Sequence, residues 1–530
     1  MKILVSWMNG ILYRVVEERE MGRVTVAITV SLWVIPISVL VNQVVLDPYM
    51  DEIFQITQAQ RYRRGKFWSW DPMITTPPGL YYLSLAHVAC LYPGMFLAQV
   101  VSSFSELCST AILRSINCLL AVLCSILVYE IITHLRPNLN QRKATLIAIV
   151  LALYPLHWFF TFLYYTDVLS LTAVLSMYLA CLKKRYHLSA LLGAFAVLIR
   201  QTNIVWMLFV ACIGIIDITL VCQEQRAKAD DLSTSEHKNV QSCSNNHLTP
   251  SSNLRRRKAS NALSTSKHPL INKSASSATH CPGFLDEIQL IFLKSWHMKW
   301  EFLISFSPFI IVLVAFGAFV HWNGSVVLGA KEAHGVSLHF AQMMYFSLVS
   351  ALAMASINFS FDQVVHLFMS FRKNWPFSFL QWLVALVAGF LCVHFFSLAH
   401  PYLIADNRHY TFYLWRKVIK AHWLMKYLLV SLYVYSWFSI FSILGKTQHK
   451  IWVLAYFLAT AAVLVPAPLI EFRYYTIPFY FYVLHSDISN YQSLVLMGLL
   501  YMVVNCFTMM MFLFRPFFWS HEPGVQRFIW

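Results

Sequence analysis

The chain has 530 residues, of which 58% are apolar, 16% aromatic and only 12% charged, and its mean hydropathy is +0.57. Soluble globular proteins carry about 25% charged residues, so an ordinary cytosolic enzyme and the disordered and fibrous classes are excluded, leaving an all-α polytopic membrane protein with interfacial aromatic belts. The net charge of 40 − 24 = +16 could suggest nucleic acid as a partner, but the bases fall mostly between apolar runs, where they orient the chain in the bilayer, and no nucleic-acid motif is present.

A bilayer core takes about 20 apolar residues per helix. Residues 1–23 mix acids and bases and read as a cytosolic amino-terminal segment ahead of a retained anchor. About twelve runs then meet the length requirement: roughly 24–46, 112–134, 144–163, 168–182, 188–200, 203–222, 302–321, 339–359, 377–399, 427–444, 451–470 and 493–514. They group into an N-terminal transmembrane module, 24–222, and a C-terminal one, 284–514, with 515–530 expected as a cytosolic tail. Residues 79–101 are apolar enough to cross as well. The base-rich turns at Arg136–Lys143, Lys183–Arg185, Arg372–Lys373 and Lys446–Lys450 share the cytosolic side only if that stretch lies in the interface, within one long luminal loop from 47 to 111. Residues 223–283, rich in Ser, Asn, Lys and Thr, read as a disordered cytosolic insert. The 11 cysteines form no regular ladder and suit core positions, and no metal-ligand spacing stands out.

This topology gathers Asp51, Glu52, Asp71, Asp167, Asp406, Arg408, His409, Glu471 and Arg473 on the luminal side. Intramembrane or boundary charges of this kind mark function or pairing. Asp51 and Glu52 stand at the mouth of the first span, where a carboxylate can take a hydroxyl proton at the water boundary or can serve as a helix cap. Asp71 precedes Pro72 and has the same two readings, base or turn residue. In the run from His400 to Lys417, Asp406, Arg408, His409 and Tyr410 combine cations with aromatics at a membrane surface, which suits a lipid-linked phosphate or a belt of snorkelling bases. Arg473 opens a further luminal segment, and Arg200 interrupts an apolar stretch where an unpaired charge is costly.

The segments MDEIFQITQAQRYRRGKFWSWDPMITTPPGLYYLS, LRSIN, FLYYTD, LIRQTNIVW, HPYLIADNRHYTFYLWRK and EFRYYTIPFY, in this order from about residue 30 to 490, closely resemble the dolichyl-phosphate-glucose-dependent alpha-1,2-glucosyltransferases of the endoplasmic reticulum. The resemblance implies a GT-C glycosyltransferase architecture with an active site at the luminal surface, and a multi-pass protein of the endoplasmic reticulum membrane. It implies dolichyl phosphate glucose as donor, a dolichyl-diphosphate-linked oligosaccharide as acceptor, and an inverting transfer without cofactor or metal. On this reading Asp51 is the first choice of base, with Glu52 as its neighbour and Asp71 as runner-up, while Arg200, Asp406, Arg408, His409, Tyr410 and Arg473 are the substrate-binding candidates. Two features depart from the family pattern: the length of the Ser-rich insert, and the extra bases Arg61, Arg63 and Arg64. The alternatives are a GT-C transferase for another dolichyl-phosphate sugar, or a transporter or channel-associated subunit. A transporter would call for polar residues along a path through the bilayer or paired broken helices, whereas the acids here cluster at one surface.

Overall fold

In the computed structural model the described residues are 2–92, 108–219, 284–332, 335–488, 490–520 and 524–530. The insert expected at 223–283 lies outside them. They fall into two compact units, Met1–Gly214 with Trp300–Trp530, and Ile215–Lys299. The second unit holds the helix Phe284–His297, and Lys294 Nζ donates to the backbone oxygen of Thr219 at 3.2 Å. Everything below concerns the first unit. It draws on both expected transmembrane modules.

Among the described residues, six helices are long and apolar enough to cross a membrane: Glu18–Val44, Thr110–Leu135, Lys299–Asn323, Trp375–Phe395, Met425–Leu444 and Tyr491–Phe514. Shorter apolar helices, among them Thr166–Leu182, Tyr186–Ile199, Asn203–Thr219, Ala341–Ala353 and Lys450–Leu464, run between them. Helices suit this composition because a chain in lipid must satisfy its own backbone groups. Sequence punctuation sets their ends. Asn140 caps Gln141–Ala152 by accepting from the N–H of Arg142 at 2.9 Å, and Pro155 at the next helix start splits the expected 144–163 run in two. Lys2–Val44 is one helix, and its membrane-length stretch runs from Glu18 to Val44.

Ion pairs and hydrogen bonds define two ends of the bundle. At one end Arg23 pairs with Glu130, which also lies 3.6 Å from Lys183, while Arg136 donates to the backbone of Leu484 at 2.9 Å and to that of Ser486. At the other end stand the 45–52 turn, Tyr164–Asp167, Arg200, the 400–410 loop and Glu471–Arg473.

Thr476–His485 is a further buried helix between the two ends, missed in the sequence because it has only 10 residues and lies between Arg473 and Asp487. It starts beside the cavity end and finishes at the opposite one, where Thr447 donates to the backbone of His485. Being buried among other helices, it needs no lipid-matched length.

This extra helix bears on the tail. Residues 515–530 were expected on the cytosolic side, opposite the 400–410 loop, yet they return to that loop. Ile529 N donates to Arg408 O at 2.9 Å and Tyr410 N to Ile529 O at 3.1 Å. Arg527 binds the backbone of Phe512 and Leu513 at 2.8 and 2.9 Å, and its N–H donates to the Tyr49 hydroxyl at 2.7 Å. A two-residue hairpin, Phe517–Phe518 against Val525–Gln526, turns the chain back.

Candidate active site

Where the 45–52 turn, the 160–167 and 200–205 segments, the 466–474 loop and the returning tail meet, they enclose a cavity of about 670 Å³, the size of an ordinary small-ligand site. Its walls are built by close backbone approach. Residues 326–330 lie along 72–75, with Leu328 N donating to Thr75 O at 3.2 Å and Ala330 N to Pro72 O at 2.9 Å. Only glycine fits between those bonds, since a Cβ at Gly329 would sit 2.3 Å from Pro72 O. Met50 and Ala330, both in the lining, hold φ values of +57° and +44°, a conformation costly for residues with a Cβ and found most often where function over-determines the backbone. The lining combines apolar residues, among them Phe316, Val326, Val336, Leu403 and Val463, with Asp51, Gln55, Arg200, Gln201, His409, Glu471 and Arg473.

Arg473 organises the polar residues of the lining. Its Nη2 donates to Glu471 Oε2 at 2.7 Å and its Nε to the same oxygen at 3.1 Å. Nη1 faces two further carboxylates at longer range, Asp51 at 3.6 Å and Asp167 at 3.8 Å. The guanidinium also stacks over Phe160 and Tyr165 at 5.3 and 5.5 Å. Burial works against its charge, but Glu471, Asp167 and Asp51 outweigh it and hold Arg473 more firmly protonated than an ordinary arginine. For Glu471 burial pushes the carboxyl up, yet Arg473, then His409 and Arg200, bring it below its usual value. Arg200 Nη1 donates to Asp167 Oδ1 at 3.0 Å. Asp51 differs from these partners: its side chain is 51% exposed, against 12% for Arg473. A carboxylate open to the cavity thus faces a buried, fixed cation.

The chain matches the model of the DIE2/ALG10 family over residues 45–484. It belongs to that family. It is 61% identical over 513 residues, 96% of this chain and all of the relative, to an Arabidopsis thaliana protein named Dol-P-Glc:Glc(2)Man(9)GlcNAc(2)-PP-Dol alpha-1,2-glucosyltransferase. Proteins of the same name from Mus musculus and Homo sapiens are 34% and 33% identical, each over 91% of this chain and 93% of the relative. No solved structure matches.

In this DIE2/ALG10 family chain the expected site residues divide. Asp51, Arg200, Asp406, His409 and Arg473 line the cavity. Glu52 does not. Its side chain is 0% exposed and sits against Arg114, also 0% exposed; Arg114 Nε and Nη2 donate to its two oxygens at 2.9 and 2.6 Å, and the N–H groups of Tyr49 and Tyr164 donate at 3.1 and 2.6 Å. Glu52 is therefore a buried tie between the first loop and the Thr110–Leu135 helix, with no oxygen turned to the cavity.

Asp71 also stands outside the lining: it accepts from Met73 N at 3.1 Å and lies 3.5 Å from Arg61. Arg408 is occupied by Asp406, through bonds of 2.9 and 2.8 Å, by Gln526 at 2.9 Å and by the Trp519 ring. These bonds outweigh burial and hold the Asp406 carboxyl below its usual value. Tyr410 packs against Phe528 and Trp530 behind the wall. His409 places Nδ1 3.0 Å from the Trp530 backbone oxygen.

Asp167 and Glu471, grouped with the luminal charges in the sequence but given no site role there, both pair with Arg473. Trp530, which lines the cavity from beyond the 45–484 family match, had no readable signal.

Proposed function

We propose that the protein transfers glucose from dolichyl phosphate glucose to the terminal glucose of a dolichyl-diphosphate-linked oligosaccharide, forming an alpha-1,2 linkage, at the luminal face of the endoplasmic reticulum membrane. The observation that carries this reading is end-to-end similarity to enzymes so named, together with a cavity in which a half-exposed carboxylate faces a buried arginine. Asp51 takes the proton from the acceptor 2-hydroxyl as its oxygen attacks the donor's anomeric carbon. The bond from that carbon to the phosphate oxygen breaks on the opposite face, its electron pair leaving with the phosphate, so a beta donor gives an alpha product. The anion left behind is met by Arg473, Arg200 and His409. Such a preorganised cationic wall is worth most in a site closed to water, and the apolar residues of the lining are suited to the first isoprene units of the lipid.

The test is transfer by the purified protein in lipid nanodiscs, offered the lipid-linked acceptor with either dolichyl phosphate glucose or dolichyl phosphate mannose. The expected product carries a single added glucose in alpha linkage. Transfer of mannose alone would move the protein to another member of the dolichyl-phosphate-sugar transferases, and transfer of neither would remove the reading.

A further inference from the structure

The bases Arg61, Arg63 and Arg64 take no part in the cavity, and they belong to a shaped elbow. The helix Glu52–Arg63 ends at Gly65, φ +73°, where Gly65 N donates to Tyr62 O at 3.0 Å and Lys66 N to Arg61 O at 3.1 Å. This is the paired closure that a left-handed glycine allows after a helix. The chain then emerges as Lys66-Phe67-Trp68, with Phe67 46% and Trp68 100% exposed. The elbow is held firmly from behind. Tyr62 is the hub, its ring centroid 5.4 Å from Phe67, 5.5 Å from Tyr81 and 5.4 Å from Tyr82. An aromatic cluster of this density could have taken in one more ring, yet Trp68 is turned outward.

Charge and position together define what the elbow fits. Residues 61–68 contain four bases and no acid, and the nearest acid in sequence, Asp71, is already beside Arg61. Arg63 Nη1 lies 3.5 Å from Cys108 Sγ, two residues before the start of the membrane-length helix Thr110–Leu135. The elbow thus stands at the level where that helix begins, the depth at which indole rings are favoured and bases meet lipid phosphates. In water a fully exposed Trp gains nothing.

We propose that this elbow docks on the adjoining bilayer leaflet, Trp68 entering the headgroup layer while Arg64 and Lys66 bind the phosphates of anionic phospholipids. The docking ties the Glu52–Arg63 helix, and with it Asp51 one residue ahead, to the membrane surface. It does not depend on which sugar the cavity transfers.

The experiment places a polarity-sensitive fluorophore on Trp68→Cys, in a full-length chain whose other accessible cysteines are serine, and reconstitutes it in nanodiscs of phosphatidylcholine with or without phosphatidylserine. The label should shift to the blue, be quenched by spin-labelled lipid rather than by aqueous iodide, and respond further to phosphatidylserine. Arg64→Gln with Lys66→Gln should remove that further response, since each base near an anionic surface strengthens association about five-fold. A label on Ser69→Cys, on the same exposed turn, gives an independent reading should the first substitution disturb folding. Emission typical of water with full iodide quenching at both positions would overturn the proposal. So would a response to phosphatidylserine that survives loss of both bases, or burial of the label only when an acidic protein is added.

Discussion

Two arginine–carboxylate clusters take adjacent residues at the end of the first loop's turn, and they differ in what their donors do. Around Arg114 every direction of the guanidinium is used: besides Glu52 it reaches Asn42 Oδ1 at 3.2 Å and the backbone oxygens of Val45 and Asp47 at 2.6 and 3.3 Å. Around Arg473 one edge is used on Glu471, and the remaining Nη1 faces Asp51 and Asp167 only at 3.6 and 3.8 Å. A saturated cluster away from any cavity fixes structure. An unsaturated one at a cavity wall is ready for a ligand's oxygen, and adjacent residues, Asp51 and Glu52, have been given to the two tasks.

The comparison can be broken by substitution. Arg114→Met leaves Glu52 buried without its partner, which costs about 3–5 kcal/mol, so the protein should be recovered poorly and melt at a lower temperature, with activity falling in step with folded protein. Asp51→Asn should do the reverse. It removes the base at a half-exposed position and should lower turnover about 10²- to 10⁴-fold at unchanged melting temperature; near-normal turnover would remove Asp51 from the role. Arg473→Lys keeps the charge but loses the planar fork on Glu471 and the stacking on Phe160 and Tyr165, and turnover should fall about 10- to 100-fold, the equivalent of one charged hydrogen bond.

Smaller effects sharpen the division further. Asp71→Asn keeps an oxygen to accept from Met73 N and weakens only the partly exposed pair with Arg61, so it should cost about 1 kcal/mol or less and leave turnover near normal, whereas a collapse confined to this variant would transfer the base to Asp71. Val525→Cys should alter neither stability nor turnover. In sealed microsomes an impermeant maleimide should reach it only after permeabilisation, because the tail shares the side of Arg473 and Asp51 and the proposed site is luminal; labelling of intact vesicles would place tail and cavity together on the cytosolic side.

What could be read beforehand follows from what short-range pattern encodes. Arg200, Arg473, Asp51 and His409 stood out because charges at the ends of apolar runs are costly unless used, and they line the cavity. The choice between Asp51 and Glu52 was not legible. Successive residues at a helix start point in directions about 100° apart, and only the packing of the Thr110–Leu135 helix decides which meets Arg114. LRSIN showed an arginine inside an apolar helix without showing whom it binds. Thr476–His485 was missed because length was used as the criterion, and burial among other helices relaxes that requirement. The tail's return to the 400–410 loop was not legible for the same reason, since that uncounted helix changes the end of the bundle at which the chain finishes.

The returning tail also bears on how the protein is made. Met50 and Trp530 line one cavity, yet nearly the whole polypeptide separates them. Residues 525–530 reach Tyr49, Arg408 and Tyr410 only after the helix Tyr491–Phe514 has been threaded into the membrane. A nascent chain therefore carries Asp51 through most of its synthesis, gains Arg473 only near the end, and has one wall unbuilt until residues 525–530 arrive.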